Sequence, residues 1–344
     1  MPTKPPPMGL MDQGWAASEV SDADLYEQVL STIRLADELG FDTAWIGEHH
    51  HRREGAVFWG RLAATEMVLA YAAAQTRRIR LGTGVRVLAT TSAMRTAEEM
   101  NTLAVLSGGR VDFGVGLGSN QPGALQGAAK AAHFRGLLDD LLNALTDSPA
   151  TGLPPIVPTS PVDIVSRLFV ACRDDATIEH IAARGLNFVM GQAELPSVQA
   201  GYVQRYRAAG GLGQARGVRL VFIAPTHEEA LAKSRRAADI YWGQMSKGPY
   251  FREALAKGIV SETPSSEEER LRWINVVAGS PDEVTAALND YLAETGVDRL
   301  DVMMRIAGMD LEDVHVGMRL MREEVVPRLV YRPLPGALAE RPAA

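Results

Sequence analysis

The strongest constraint in this sequence is a set of eight short apolar runs separated by stretches of helical periodicity. They are MGLMD (8–12), TAWIG (43–47), IRLGTGVRVL (79–88), VDFGVGL (111–117), RLFVAC (167–172), NFVMG (187–191), VRLVFIA (218–224) and RLDVMMRI (299–306). Several are nearly continuous rather than alternating, as strands covered on both faces are. Between them, residues 21–39 place Leu25, Val29, Leu30, Ile33 and Leu35 at helical spacing, with Gly40 as a stop. SAMRTAEEMNTLAVLSGG reads the same way and ends on Gly108 and Gly109, while DATIEHIAARG starts with acidic capping candidates and ends on Gly185. SPDEVTAALNDYLAETG opens with Ser280 as N-cap, Pro281 at the first helical position and Glu283 at the third. Strands alternating with helices predict βαβ units around a parallel sheet, and eight such units close as a TIM (β/α)8 barrel.

A chain of 344 residues suits one large α/β domain. The expectation is a single barrel over residues 1–330, with an insertion at about 241–278 after the seventh strand and a mobile tail at 331–344. The insertion holds Trp242, Tyr250, Phe251 and Trp273, so it packs, either as a lid over a pocket or as a peripheral helical excursion. Residues 146–164, rich in Pro, Ser and Thr, read as a loop. A net charge of −7 gives no basic footprint for nucleic acid. The single cysteine, Cys172, excludes a disulfide framework and argues against a Cys-based zinc site. No run reaches the roughly 18 apolar residues of a membrane span, and the N-terminus lacks a signal-peptide core, so a cytoplasmic protein is expected.

The run TAWIGEHHHRREG (43–55) ends the second strand. Strand alternation points Glu48 and His50 one way and His49 and His51 the other, so the three imidazoles cannot converge on a metal without ligands from elsewhere. A catalytic base and a solvated strand-end histidine are the other readings. The third and fourth strands carry Gly82, Gly84, Gly114, Gly116 and Gly118 near their C-terminal ends. These glycines permit close approach of a flat ring or a phosphate, or serve tight packing within the barrel. The spacing in GVGLGSN is neither a dinucleotide fingerprint nor a phosphate-binding P-loop.

Together, GFDTAWIGEHH, RIRLGTGVRVL, RTAEEMNTLAVLSGGRVDFGVGLG and GSPDEVTAALNDYLAETGVDRLDVMMRI resemble the bacterial luciferase-like monooxygenases, in order and over nearly the whole chain. The resemblance implies a barrel of the luciferase-like type with an insertion after strand seven, holding FMN in its reduced form or the deazaflavin F420 at its mouth. His49 matches the family's active-site histidine, with His50 beside it. Gly84 and Val85 match a non-proline cis peptide against the isoalloxazine ring. Gly116, Leu117, Gly118 and Ser119 match the loop that approaches the flavin phosphate. Arg173, Asp174 and Thr177 match a second phosphate-contacting segment. Many flavin-binding members carry arginine where Leu117 stands here, and Arg173 is expected to supply that charge.

Two kinds of enzyme follow. In one, reduced FMN delivered by a separate flavin reductase reacts with O2 to a C4a-peroxyflavin that oxygenates a small organic substrate, with His49 as general base. In the other, F420 exchanges hydride with the substrate and the same histidine shuttles the proton. A non-catalytic barrel subunit is a third reading. The resemblance also implies a homodimer through helices near the second and third strands.

Overall fold

The structure, a computed structural model, describes residues 6–51, 56–118, 127–147, 152, 154–258, 261, 263, 265–273 and 276–331. The expected tail falls outside these from residue 332 onward. The first elements are β1 (Met8–Asp12), β2 (Trp15–Ala17), α1 (Asp22–Leu39), β3 (Thr43–Ile46), β4 (Phe58–Gly60) and α2 (Thr65–Ala73). There follow β5 (Arg80–Val87), α3 (Ala93–Leu106), β6 (Val111–Gly116), α4 (Gly127–Leu145), β7 (Leu168–Ala171), α5 (Asp175–Ala182), β8 (Asn187–Val189) and α6 (Pro196–Ala208). The last are β9 (Ala215–Ile223), α7 (His227–Met245), α8 (Pro249–Ala256), α9 (Glu267–Trp273), β10 (Val276–Gly279), α10 (Pro281–Thr295), β11 (Arg299–Met303) and α11 (Leu311–Leu320).

Eight parallel strands close a ring in the order β1, β3, β5, β6, β7, β8, β9, β11 and back to β1. These are the eight apolar runs of the sequence. The seventh starts earlier than its apolar core, because Ala215–Gly217 already pair with β8 and β11. Two features lie outside the expectation. β10 pairs with the upper half of β9, Val276 opposite Leu220 through Gly279 opposite Ile223, where β11 has ended. β2 and β4 form a small antiparallel ribbon above the ring, with Trp15 opposite Gly60 and Ala17 opposite Phe58.

Helix ends follow their local chemistry. Ser21 accepts from the Asp24 N–H and caps α1, which stops at Gly40 in a left-handed conformation at φ 75°. Ser280 and Glu283 form the capping box that their spacing predicts. The insertion packs: Phe251, Ala254 and Leu271 are buried, and Trp242 meets Phe251 edge-on with centroids 5.2 Å apart. The side chains of Tyr250 and Trp273 lie outside the description.

Polar pairs sit inside the ring. At the bottom, Arg299 donates to Thr43 Oγ1 at 2.9 Å, and Thr43 donates to Asp112 Oδ2 at 3.0 Å. At the top, Arg305 grips both oxygens of Asp12, Nε and Nη2 each at 2.6 Å, and both residues are buried. This fork joins the end of β1 to the loop beyond β11 and fixes the seam where the ring closes. Arg305→Leu leaves a buried carboxylate without its cation, so unfolding stability in urea should fall by about 3–5 kcal/mol. A midpoint shift equivalent to less than about 1 kcal/mol would show the fork to be dispensable.

Candidate functional site

A cavity of about 950 Å³ opens at the C-terminal ends of the ring strands. Its lining divides by strand order. Lys130, Arg173 and Glu194 come from segments after β6, β7 and β8. Trp15, Phe58 and Trp59 come from the ribbon after β1 and β3, and Gln244 and Met245 end α7, which follows β9. His49 and the Gly84–Val85 peptide also line it, and that peptide is cis.

His49 is held tightly. Its backbone N–H donates to Leu62 O at 2.9 Å, and its Nε2 lies 2.7 Å from Gln13 Oε1. The amide nitrogen of Gln13 donates to Gly84 O at 3.2 Å. That bond turns the Gln13 oxygen toward His49, so the proton of this contact belongs to the imidazole Nε2. Two glycines make the arrangement possible. A Cβ on Gly60 would sit 2.0 Å from the His49 ring, and one on Gly47 would sit 2.1 Å from Gln13 Oε1.

His50 has a different partner, and because β3 has ended at Ile46, strand alternation no longer separates the residues that follow: Glu48, His49, His50 and His51 all border the cavity. The His50 Nε2 lies 2.5 Å from Glu48 Oε1. The Glu48 side chain is fully buried and also accepts from Arg86 at 2.9 Å and from the Val87 N–H at 3.0 Å. Arg86 reaches Glu66 and Glu99, each at 3.2 Å. Burial works against the charge on Arg86, but Glu66, Glu48 and Glu99 outweigh it and hold its pKa above the usual guanidinium value. Burial pushes the Glu66 carboxyl up, more than Arg86 pulls it down. His51 is exposed, has a positive φ of 62° and also borders the cavity.

The rim glycines serve the barrel. A Cβ on Gly82 would lie 2.5 Å from the Trp45 ring, on Gly84 2.9 Å from Met11 Sδ, and on Gly116 2.7 Å from Val85. Gly114 is crowded by Thr83 O at 2.5 Å, and Gly118, at φ 80°, by Val87 at 2.7 Å. Of the two sequence readings, tight packing is the one these contacts bear out. Gly84 and Gly118 still border the cavity, together with the side chains of Val85, Val87 and Leu117.

The expected phosphate segment is brought together in part. Leu117, Gly118, Arg173 and Asp174 line the cavity, whereas Gly116 and Thr177 lie behind the lining, and Ser119 is outside the described residues. Arg173 is paired with the buried carboxylate of Glu194. Asp174 caps α5, accepting from the Thr177 N–H and hydroxyl, both at 2.9 Å, and Arg135 donates to that hydroxyl at 3.1 Å. Lys130, near the start of α4, lines the cavity and has no ion pair among the described residues. Burial raises the Cys172 thiol far above its ordinary pKa, which keeps it protonated. Among the described residues, no group of three or more His, Cys, Asp or Glu is placed to hold a metal ion, and no helix is long and apolar enough to cross a membrane.

Sequence reading missed Gln13, Trp15, Lys130, Glu194 and Gln244. Position just past β1 was the one available signal for Gln13 and Trp15, since strand ends carry barrel chemistry.

The sequence model of the luciferase-like monooxygenases matches residues 9–299. An N-acetyl-S-alkylcysteine monooxygenase of Bacillus subtilis is 34% identical over 119 residues, 35% of this chain and 33% of that protein. The match thus spans about a third of that relative's length. Among solved structures, the oxygenating constituent of 3,6-diketocamphane monooxygenase from Pseudomonas putida, in complex with FMN, superposes with a TM-score of 0.73 at 17% identity, covering 95% of this chain and 100% of that one. The coenzyme F420-dependent tetrahydromethanopterin reductase of Methanopyrus kandleri gives 0.64 at 17% identity, with the same coverage.

Neutral His49 carries its proton on Nε2. A long-range ¹H–¹⁵N spectrum at alkaline pH should show that tautomer for His49 in the intact protein, and Gln13→Leu should return it to a mixture. A predominant Nδ1–H form before mutation would contradict the Gln13 contact.

Proposed function

The chain belongs to the luciferase-like monooxygenase family, and we propose that within it this protein is a flavin-dependent monooxygenase, taking reduced FMN and O2 to oxygenate a small organic substrate. The observation that carries the reading is the divided cavity, with cations on one side of the barrel mouth, an apolar aromatic wall on the other, and His49 facing the space between. The volume, about 950 Å³, lies at the upper end of ligand pockets and leaves room for a cofactor and a substrate together. The FMN-bound camphane monooxygenase supports the choice of FMN, and the F420-dependent reductase keeps F420 as the alternative.

The residues present fit a flavin. Val85 offers an apolar face beside the Gly84–Val85 peptide, and Lys130 offers a cation for a phosphate. Arg173 shares its charge with Glu194, so Lys130 is the principal phosphate partner and Arg173 the secondary one. When bound, the reduced flavin supplies the electrons that activate O2. The protein's own part is to exclude water with Met11, Val85, Trp15 and Phe58, and to manage a proton with His49. Gln13 accepts from Nε2 and so fixes the ring of His49 in the cavity lining. The sequence carries no nicotinamide fingerprint, so the reduced flavin comes from a separate reductase.

Exposed apolar side chains support a homodimer. Met67 and Tyr71, one helical turn apart on α2, are 75% and 62% exposed, and Leu106 at the end of neighbouring α3 is 61% exposed.

Anaerobic titration separates the cofactors. Reduced FMN should bind, and Lys130→Ala should weaken it about tenfold or more, the ~1.5 kcal/mol of a charge-assisted hydrogen bond. Binding of F420 alone would replace this reading with hydride transfer, and binding of neither would leave a non-catalytic barrel. For assembly, Met67→Asp with Tyr71→Asp should convert a dimer to monomer in sedimentation at micromolar concentration. An unchanged sedimentation coefficient would place the interface elsewhere.

A further inference from the structure

We infer that the half of the cavity between the β2–β4 ribbon and the end of α7 is a substrate subsite for a flat, uncharged, ring-bearing molecule with a hydrogen-bond acceptor at its edge. The inference rests on the proposed function only in assigning the other half, with Lys130 and Arg173, to the cofactor.

The wall is aromatic and firmly backed. Trp15 and Phe58 meet with centroids 5.3 Å apart, and Tyr241, fully buried behind them, stacks on Phe58 at 5.9 Å and lies 5.6 Å from Trp15. Three rings locked on one another present a fixed surface, which suits a rigid planar ligand better than a flexible chain that must be ordered on binding.

Charge is steered away from this wall. Arg61 lies 4.7 Å over the Trp59 ring, but its guanidinium is spent on Val20 O at 2.6 Å, Asp22 at 3.0 Å and Ala17 O. The carboxylate of Glu48 is occupied by Arg86 and His50. An ionised substrate at this wall would therefore lose its hydration without gaining a counter-ion from Arg61 or Glu48.

One polar group stands in the wall. Gln244 Oε1 accepts from the Phe58 N–H at 3.4 Å, and its side chain lines the cavity. With the oxygen so engaged, the amide Nε2 is the end left to donate, and it selects a carbonyl or ether oxygen on the ligand. Such a donor discriminates strongly, because a ligand without the acceptor leaves it unpaired.

Four probes of matched size test this by calorimetry on flavin-free protein: 2-acetylnaphthalene, 2-ethylnaphthalene, 2-naphthoate and decan-2-one. The ketone 2-acetylnaphthalene should bind at least tenfold tighter than each of the others. Gln244→Leu should abolish its advantage over 2-ethylnaphthalene, and Trp15→Leu should weaken both neutral naphthalenes at least tenfold, with circular dichroism confirming that each variant folds. Saturating FMN should leave the ketone's affinity unchanged. The inference is overturned if no probe binds, if 2-naphthoate or decan-2-one matches the ketone, if discrimination survives Gln244→Leu, or if FMN displaces the probe. Should FMN itself fail to bind, the cofactor assignment falls and the flavin-free measurements alone judge the subsite.

Discussion

One indole fills the middle of the barrel, and the site stands on it. Trp45 projects from β3 into the ring and is fully buried. The room it occupies exists because neighbouring strands lack side chains there: a Cβ on Gly9 would lie 2.8 Å from its Nε1, and one on Gly82 2.5 Å from its six-membered ring. Phe169 meets it edge-on at 5.3 Å, and the Arg216 guanidinium lies 3.6 Å over its face. Arg216 is itself paired with Asp301 from β11. A cation buried this deeply is tolerable only with a counter-ion and an aromatic face to replace water, and burial still lowers its pKa below the usual guanidinium value. The result is a solid floor. Above it the next inward side chains, Met11, Val189 and Val218, pack with Trp45 and Phe169 in one core cluster and border the cavity on their other side.

That floor explains what the sequence disclosed and what it hid. The ring strands are legible because burial on both faces demands continuous apolar runs, and all eight lie where such runs occur. The start of β9 is hidden because Arg216 looks like a surface residue until Asp301 and the Trp45 ring are brought beside it. The rim glycines were visible, but their purpose was not. Whether a glycine makes way for a ligand or for a neighbour depends on what a Cβ would strike, and here it strikes Val85, Met11 and Val87. Leu117 announced a missing cation, yet Lys130 lies thirteen residues on in a helix with no local signal to mark it. Gln13 and Gln244 were hidden for a simpler reason. An amide has no periodicity and no charge pattern, and its meaning arises only when both its ends find partners.

Neighbouring histidines show how sharply position sets chemistry. His49 and His50 are adjacent in the chain, yet one faces a neutral amide and the other a buried carboxylate. Glu48, Glu66 and Glu99 all reach Arg86, and Glu99 is shared with Arg95. Burial is the largest influence on Glu66 and raises its pKa, against the pull of Arg86. His49 is oriented by Gln13, whose amide adds no charge. An amide fixes a ring by hydrogen bonding alone, whereas a carboxylate also brings a charge beside it. Both rings are in the cavity lining, so the chain sets an amide-oriented imidazole, His49, beside a carboxylate-oriented one, His50, in a single site.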